Sequence, residues 1–311
     1  MNWTGKKVGL ALGGGGGRGL AHIGVLNVLE QDRISIDLIV GTSAGALIGG
    51  AYAAGITTAE ITAKVDAYLK SPEFEGSEIK SIGLSFSPGQ KSFSQRVRIF
   101  AQNQYYLIRA LLKPSILPVQ DFQALINYLL PDIDIRDTRI PFHAVCTDLL
   151  TGGQVVLSEG SIRQAVLASS SVPGACEPVR LGNWLLADGG VTSLVPVHAA
   201  RRAGADVVIA VMVDRDLPVD ADIATAKDVM YRAGEITANA LQAEELKDAD
   251  VIIRPPLGSI HWTDFSRSGD LIRIGVETAR NALDEINDSL PMPRRLARFA
   301  GKLFSKSKAA P

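Results

Sequence analysis

Five residues, Gly41-Thr42-Ser43-Ala44-Gly45, constrain this chain more than any other stretch. A largely apolar run over 37–40 leads into them, and a small-residue helical run over 44–54 leads away. A strand, a Gly-x-Ser-x-Gly turn and a helix are the context of a nucleophile elbow. The turn is too tight for flanking side chains, so glycine stands on both sides of Ser43. The serine is held out at the carboxyl end of a strand and the N-terminus of a helix. There the partial positive charge of the helix end favours developing negative charge.

The preceding residues supply a second strand-end feature. Residues 7–12 read as a buried first strand and run into Gly13-Gly14-Gly15-Gly16-Gly17-Arg18-Gly19. Residues 20–31 then carry Leu20, Ile23, Val25, Leu26 and Leu29 close to helical spacing. With a further strand over 36–40 this is a βαβ unit, and a parallel strand pair is expected. A dinucleotide site would need an acid at the end of that second strand, but Asp37 lies at its beginning. A P-loop would need Gly-Lys-Ser/Thr where Arg18-Gly19-Leu20 stands. A plain tight connection accounts for one or two glycines, not five. Adjacent parallel strands end on one sheet edge, so the glycine loop and Ser43 should lie side by side. Backbone N–H groups of Gly14, Gly15 and Gly16 would then face an oxyanion formed beside Ser43.

Residues 57–69 read as a helix capped by Thr57 or Thr58, with Glu60 in its first turn. Between 85 and 120, Phe93, Phe100, Tyr105 and Leu111 interleave with Lys91, Arg96, Arg98, Arg109 and Lys113. This region reads either as core-packing helices or as an acyl-binding or membrane-facing lid over the active edge. Asp121 should cap a helix over 122–130. Short strands are expected over 142–147, 153–157, 184–187, 207–213 and 251–254. Helices are expected over 161–168, 196–203, 222–247 and 271–286. Nothing repeats and no linker is evident, so one α/β domain should span 1–290.

Hydrophobic residues are 46% of the chain and net charge is −1, which fits a globular core and gives no bias towards nucleic acid. Cys146 and Cys176 lie in apolar surroundings and read as reduced, buried thiols without metal-ligand spacing. Neither a signal peptide nor a membrane span is recognisable, so a cytoplasmic protein is expected, with no cofactor and no metal.

A serine nucleophile needs a base. Ser43, Asp188 and either His198 or His261 satisfy the order serine, acid, histidine. His198 falls inside a helix, and His261 has no strand-end context. His22 lies one turn past the glycine loop, and His143 falls in a strand. Asp188 directly follows a strand and precedes Gly189-Gly190, which exposes a side chain beside close backbone. It also reads as an ordinary Asp-Gly turn residue.

Taken together, Gly14-Gly15-Gly16-Gly17-Arg18-Gly19, Gly41-Thr42-Ser43-Ala44-Gly45 and Asp188-Gly189-Gly190 resemble, in order, the three motifs of the patatin-like phospholipases. Ala168-Ser169-Ser170-Ser171-Val172-Pro173-Gly174 with Pro178-Val179 looks like that family's Ser-x-Pro block, and Cys146-Thr147-Asp148-Leu149 with Thr151-Gly152 looks like another family segment. The likeness runs from 7 to 282. It implies a three-layer α/β/α fold around a mostly parallel sheet and a Ser–Asp dyad without histidine. Ser43 would be the nucleophile and Asp188 the proton acceptor. The glycine loop would form the oxyanion hole, with Arg18 anchoring it and adding positive field near a lipid phosphate. The implied activity is serine lipid acyl hydrolysis of phospholipase A, lysophospholipase or carboxylesterase type through an acyl-enzyme. Acyl transfer to another alcohol, or a non-catalytic regulatory role, are the alternatives. A carboxyl near its ordinary pKa of about 4 is a weak base for serine, so partial burial of Asp188 is expected to raise it.

The last stretch, 291–311, reads as a separate tail. Residues 293–308 carry Arg294, Arg295, Arg298, Lys302, Lys306 and Lys308 and no acid, with Leu296, Phe299, Leu303 and Phe304 near one helical face. Such a tail lies on anionic lipid or frays in solvent. Peripheral contact with the inner membrane surface is the expectation that follows.

Overall fold

The structure, a computed structural model, describes residues 6–78, 80, 117–214, 223–258, 260, 264–292 and 294. The strands among them, in chain order, are β1 (Val8–Leu12), β2 (Leu38–Thr42), β3 (Phe142–Asp148), β4 (Gln154–Leu157), β5 (Val179–Leu181), β6 (Trp184–Asp188), β7 (Val207–Val211) and β8 (Val251–Ile253). The helices are α1 (Ala21–Gln31), α2 (Ala44–Ala53), α3 (Thr58–Tyr68), α4 (Pro72–Glu75), α5 (Val119–Leu129), α6 (Ile162–Ser169), α7 (Val197–Arg202), α8 (Ala226–Glu245), α9 (Ser268–Asn281) and α10 (Leu283–Ser289).

All eight strands join one sheet in the order β5-β6-β3-β2-β1-β7-β8, with β4 paired to β3 off that path. β3, β2, β1, β7 and β8 run parallel; β4, β6 and β5 are antiparallel additions. Every residue of β1, β2 and β7 is buried, as a sheet covered on both faces requires. Leu10, Leu12, Ile39, Ile209 and Val211 face the larger core with α1, α2, α3, α5, α6 and α9. Ala11, Val40, Val208 and Ala210 face a thinner second core with α7. The result is the three-layer α/β/α arrangement expected from the sequence.

The pairing around β3 decides where the site forms. Val145 pairs both Thr42 of β2 and Val156 of β4, and Cys146 pairs both Val155 of β4 and Asp188 of β6. A strand residue has two edges, and β4 takes one along this whole stretch. So β2 and β6 share the other edge of β3, end to end and pointing at each other. β2 stops at Thr42 and β6 stops at Asp188, one register step apart.

Several local expectations shift. The helix expected over 122–130 begins at Val119, because Pro118 supplies an extended N-cap and lacks the N–H that a helix start leaves free. Asp121 therefore falls in the first turn, where its carboxylate accepts the Glu78 N–H at 2.7 Å instead of capping its own helix. The single helix expected over 271–286 is two, α9 and α10, broken at Ala282. Thr57 caps α3 as expected, with Glu60 completing a reciprocal capping box. The lid expected over 85–120 and the tail over 293–308 lie outside the described residues, apart from 117–120 and Arg294.

Candidate active site

Ser43 sits between β2 and α2 with φ 54° and ψ −121°, a backbone region that side chains rarely adopt. The surroundings over-determine this geometry. A Cβ at Gly41 would lie 2.5 Å from Ala46 Cα, and one at Gly45 only 2.1 Å from Leu12 O. The elbow therefore packs backbone on backbone against β1, which only glycine permits. The Ser43 N–H donates to Ser169 Oγ at 2.9 Å, and Ser169 Oγ donates in turn to Val145 O at 2.6 Å.

Asp188 reaches the same point from β6. It is 5% exposed, and its Oδ1 accepts the Gly190 N–H at 2.7 Å. Its own N–H donates to Ser171 O at 2.8 Å, and Thr147 Oγ1 donates to its carbonyl at 3.1 Å. The segment Ser169–Ser171 thus holds the backbone amides of both Ser43 and Asp188. Burial pushes the Asp188 carboxyl up to about 6; the Ser43 hydroxyl lying against it and the Gly190 N–H favour the charged form and limit the rise. This places the carboxyl where a general base for neutral pH belongs.

The glycine loop lies beside Ser43, as the βαβ reading requires: a Cβ at Gly14 would stand 3.3 Å from Ser43 Cβ, and one at Gly19 2.4 Å from Ala44 Cβ. One expected oxyanion donor is lost. The Gly14 N–H is occupied, donating to Leu194 O at 2.9 Å, because the 190–196 loop runs directly over it. The N–H groups of Gly15, Gly16 and Gly17, at the start of a 3-10 turn over Gly16–Leu20, have no acceptor among the described residues. The same holds for Ala44, the first residue of α2.

Arg18 is 7% exposed, donates from Nε to Gly15 O at 3.2 Å and pairs with Asp214 at 2.6 Å. It ties the loop to the segment after β7. Its charge is directed at Asp214.

No hydrogen bond joins Ser43 to a histidine among the described residues. His22 is fully buried and holds Gly13 O through Nε2 at 2.8 Å; burial drives its pKa down to about 4, so it positions the loop as a neutral ring. His143 lies on β3, half-buried, its pKa lowered by burial. His198 lies on α7 and contacts Asp248 at 2.7 Å. His261 lies outside the described residues. Cys146 and Cys176 are free and buried; burial pushes the Cys176 thiol up to about 12 and Cys146 higher still.

Sequence reasoning missed a buried support beneath the elbow. Thr42 Oγ1 donates to Ser193 O at 2.9 Å, and Ser193 Oγ lies 2.7 and 2.8 Å from the two oxygens of Glu245, which also accepts the His198 N–H at 3.0 Å. Nothing local in the sequence marks Glu245, which arrives from the end of α8. An apolar cavity of about 40 Å³ adjoins the site, between Gly16 and Gly19 of the loop, Ala44 and Leu47 of α2, and Tyr68 and Phe265. A larger cleft of about 480 Å³ beside Gly55 and Arg139 contains none of the site residues.

Fold and site place the chain among α/β proteins that bring a glycine loop and a serine elbow together on adjacent parallel strand ends. It belongs to the patatin-like phospholipase family, whose description matches residues 10–201. It is similar to patatin-like phospholipase domain-containing protein 7 of Mus musculus, at 27% identity over 90% of this chain and 21% of that protein. It is also similar to lysophospholipase NTE1 of Saccharomyces cerevisiae, at 26% identity over 93% of this chain and 17% of that protein. The chain therefore spans about a fifth of the length of these curated relatives. Among solved structures it is similar to VipD from Legionella pneumophila, with a TM-score of 0.43 at 15% identity, covering 86% of this chain and 67% of that one. No helix among the described residues is long and apolar enough to cross a membrane.

Proposed function

We propose that this chain is a serine lipid acyl hydrolase that works through a Ser43–Asp188 dyad. Ionised Asp188 accepts the Ser43 hydroxyl proton as Oγ attacks the ester carbonyl. The N–H groups of Gly15, Gly16 and Ala44 are the open donors for the oxyanion. Collapse of the tetrahedral intermediate releases the alcohol or lysolipid, which takes the proton from Asp188. Water, deprotonated by Asp188, then attacks the acyl-enzyme and frees the fatty acid and Ser43. The apolar cavity beside Ala44, about 40 Å³, has room for the first few methylenes of an acyl chain.

The carrying observation is the end-to-end meeting of β2 and β6, which sets Ser43 against a buried carboxyl with a pKa of about 6. Family membership and the lysophospholipase name of the yeast relative support a lipid ester as substrate. The test is labelling by a fluorophosphonate together with hydrolysis of a soluble short-chain ester and a lysophospholipid. Ser43→Ala should abolish labelling and both hydrolyses, and Asp188→Asn should abolish turnover. Full activity in either variant would sink the dyad.

A further inference from the structure

Surface turns are ordinarily built from Gly, Asn, Asp, Ser and Pro. The turn joining β3 to β4, Leu149-Leu150-Thr151-Gly152-Gly153, ends on two such glycines but opens on two leucines. Asp148 N–H donates to Gly153 O at 2.9 Å and Gly152 N–H to Asp148 O at 2.8 Å, which leaves Leu149 and Leu150 at the tip, 44% and 57% exposed. The β5–β6 hairpin rises alongside. Leu149 N–H donates to Leu185 O at 2.8 Å, continuing the Asp148–Leu186 register, so Trp184, 42% exposed, stands next to the leucines.

The tip is held firmly. The Asp148 carboxylate, on a residue 1% exposed, accepts the Leu150 N–H at 3.2 Å, the Thr151 hydroxyl at 2.7 Å and the Leu185 N–H at 3.0 Å. Its two leucines are thus presented to solvent by a buried polar brace.

The place of this tip gives it meaning. β3 runs parallel to β2, so its carboxyl end lies on the sheet edge that carries Ser43. Five residues separate Val145, opposite Thr42, from Leu150, so the tip stands roughly 15 Å beyond the elbow at about 3.3 Å per residue. Val191, three residues past Asp188, is also exposed on this edge.

We propose that Leu149, Leu150 and Trp184 form an apolar finger that inserts into a lipid surface and sets the mouth of the Ser43 site against it. The proposal rests on the lipid hydrolase reading for its purpose, not for its geometry. The occupant is lipid because two adjacent hairpin ends present aliphatic and indole side chains to solvent on the sheet edge that carries Ser43. Tryptophan favours the boundary between apolar chains and head groups. Arg180, exposed and paired in register with Leu185, puts a cation at head-group level. The start of the basic tail lies elsewhere: Arg294 pairs with Asp37 at 2.7 Å and donates to Ser35 O at 3.0 Å, ahead of β2 on the opposite edge.

The test uses the full chain with Trp3→Phe and Trp262→Phe, which leaves Trp184 as the sole indole of the three. Vesicles of mixed phosphatidylcholine and phosphatidylglycerol should shift Trp184 emission to the blue, and brominated acyl chains should quench it. Leu149→Ser with Leu150→Ser should weaken vesicle binding by at least roughly tenfold, from the apolar area withheld from lipid. Soluble-ester hydrolysis and fluorophosphonate labelling should be unchanged. Absence of vesicle binding by the parent, unquenched Trp184 in vesicle-bound protein, or unchanged affinity in the double variant would overturn the finger. So would binding of a protein partner to this tip without quenching. Loss of labelling in the parent would instead overturn the dyad, so the two failures are distinguishable.

Discussion

Replacing the proposed base should make the protein more stable while abolishing turnover. Asp188 is 5% exposed, and burial holds its carboxyl at about 6 instead of the ordinary carboxylate range near 4. A shift of about two pH units corresponds to about 3 kcal/mol between protonated and ionised forms. The sign follows from linkage. The folded state keeps a proton that the unfolded chain has lost between about pH 4 and pH 6, so this stability is present below pH 4 and is lost as pH rises through 6. Above that, the ionised carboxylate costs the fold its full amount. Asparagine is the neutral isostere: its Oδ1 retains the 2.7 Å bond from Gly190, and its amide can donate to Ser43 Oγ. Asp188→Asn should therefore gain up to about 3 kcal/mol at pH 8 and almost nothing at pH 4. At roughly 2 °C per kcal/mol for a chain of this size, the melting temperature should rise by about 6 °C. Thermal melts of parent and variant across this pH range read the effect directly. Equal melting temperatures at pH 8, or a gap that does not change between pH 4 and pH 8, would refute the reasoning.

Three further outcomes follow from the same geometry. In the parent, kcat/KM on a soluble ester should fall about tenfold per pH unit below 6 and be flat above it, as a pH-rate profile will show. Ser169→Ala removes the acceptor of the Ser43 N–H and should cost about 1–3 kcal/mol in denaturant melts, with a lower kcat at unchanged soluble-ester KM. Ser43→Gly should be more stable than Ser43→Ala by about 1 kcal/mol, because both lose the hydroxyl and only glycine relaxes at φ 54°; a variant pair of equal stability would argue against strain at the elbow.

The parts of the site legible in the sequence are those set by local chemistry and parallel topology. A βαβ unit fixes that the glycine loop and the elbow share a sheet edge, and Gly14 and Ser43 are indeed neighbours. Pairings between distant segments were not legible. Nothing near Gly14 in sequence competes for its N–H, yet Leu194 O occupies it. Asp188 read equally well as a turn residue, since what brings it to Ser43 is an antiparallel strand meeting the end of a parallel one across β3. No residue near position 188 encodes that register. His22 carries the opposite lesson: its spacing suits catalysis and packing alike, and only burial against Gly13 O separates them. The break at Ala282 has no glycine or proline to announce it.

The choice of a carboxylate as the proposed base ties stability to catalysis in this fold. A neutral histidine can be buried beside a serine without an electrostatic cost, and its pKa falls when it is; His22 shows this, driven down to about 4. An aspartate behaves oppositely. In water it is too weak to take a serine proton, and the same desolvation that strengthens it destabilises its ionised form. The two bonds from Ser43 and Gly190 favour the ionised carboxyl and limit the rise, while leaving it well above its ordinary value. A third strong donor to Asp188 would steady the fold and weaken the base. The brace around it stops at its backbone: Ser171 and Thr147 hold the amide and carbonyl of residue 188 and leave the carboxylate to Gly190 and Ser43.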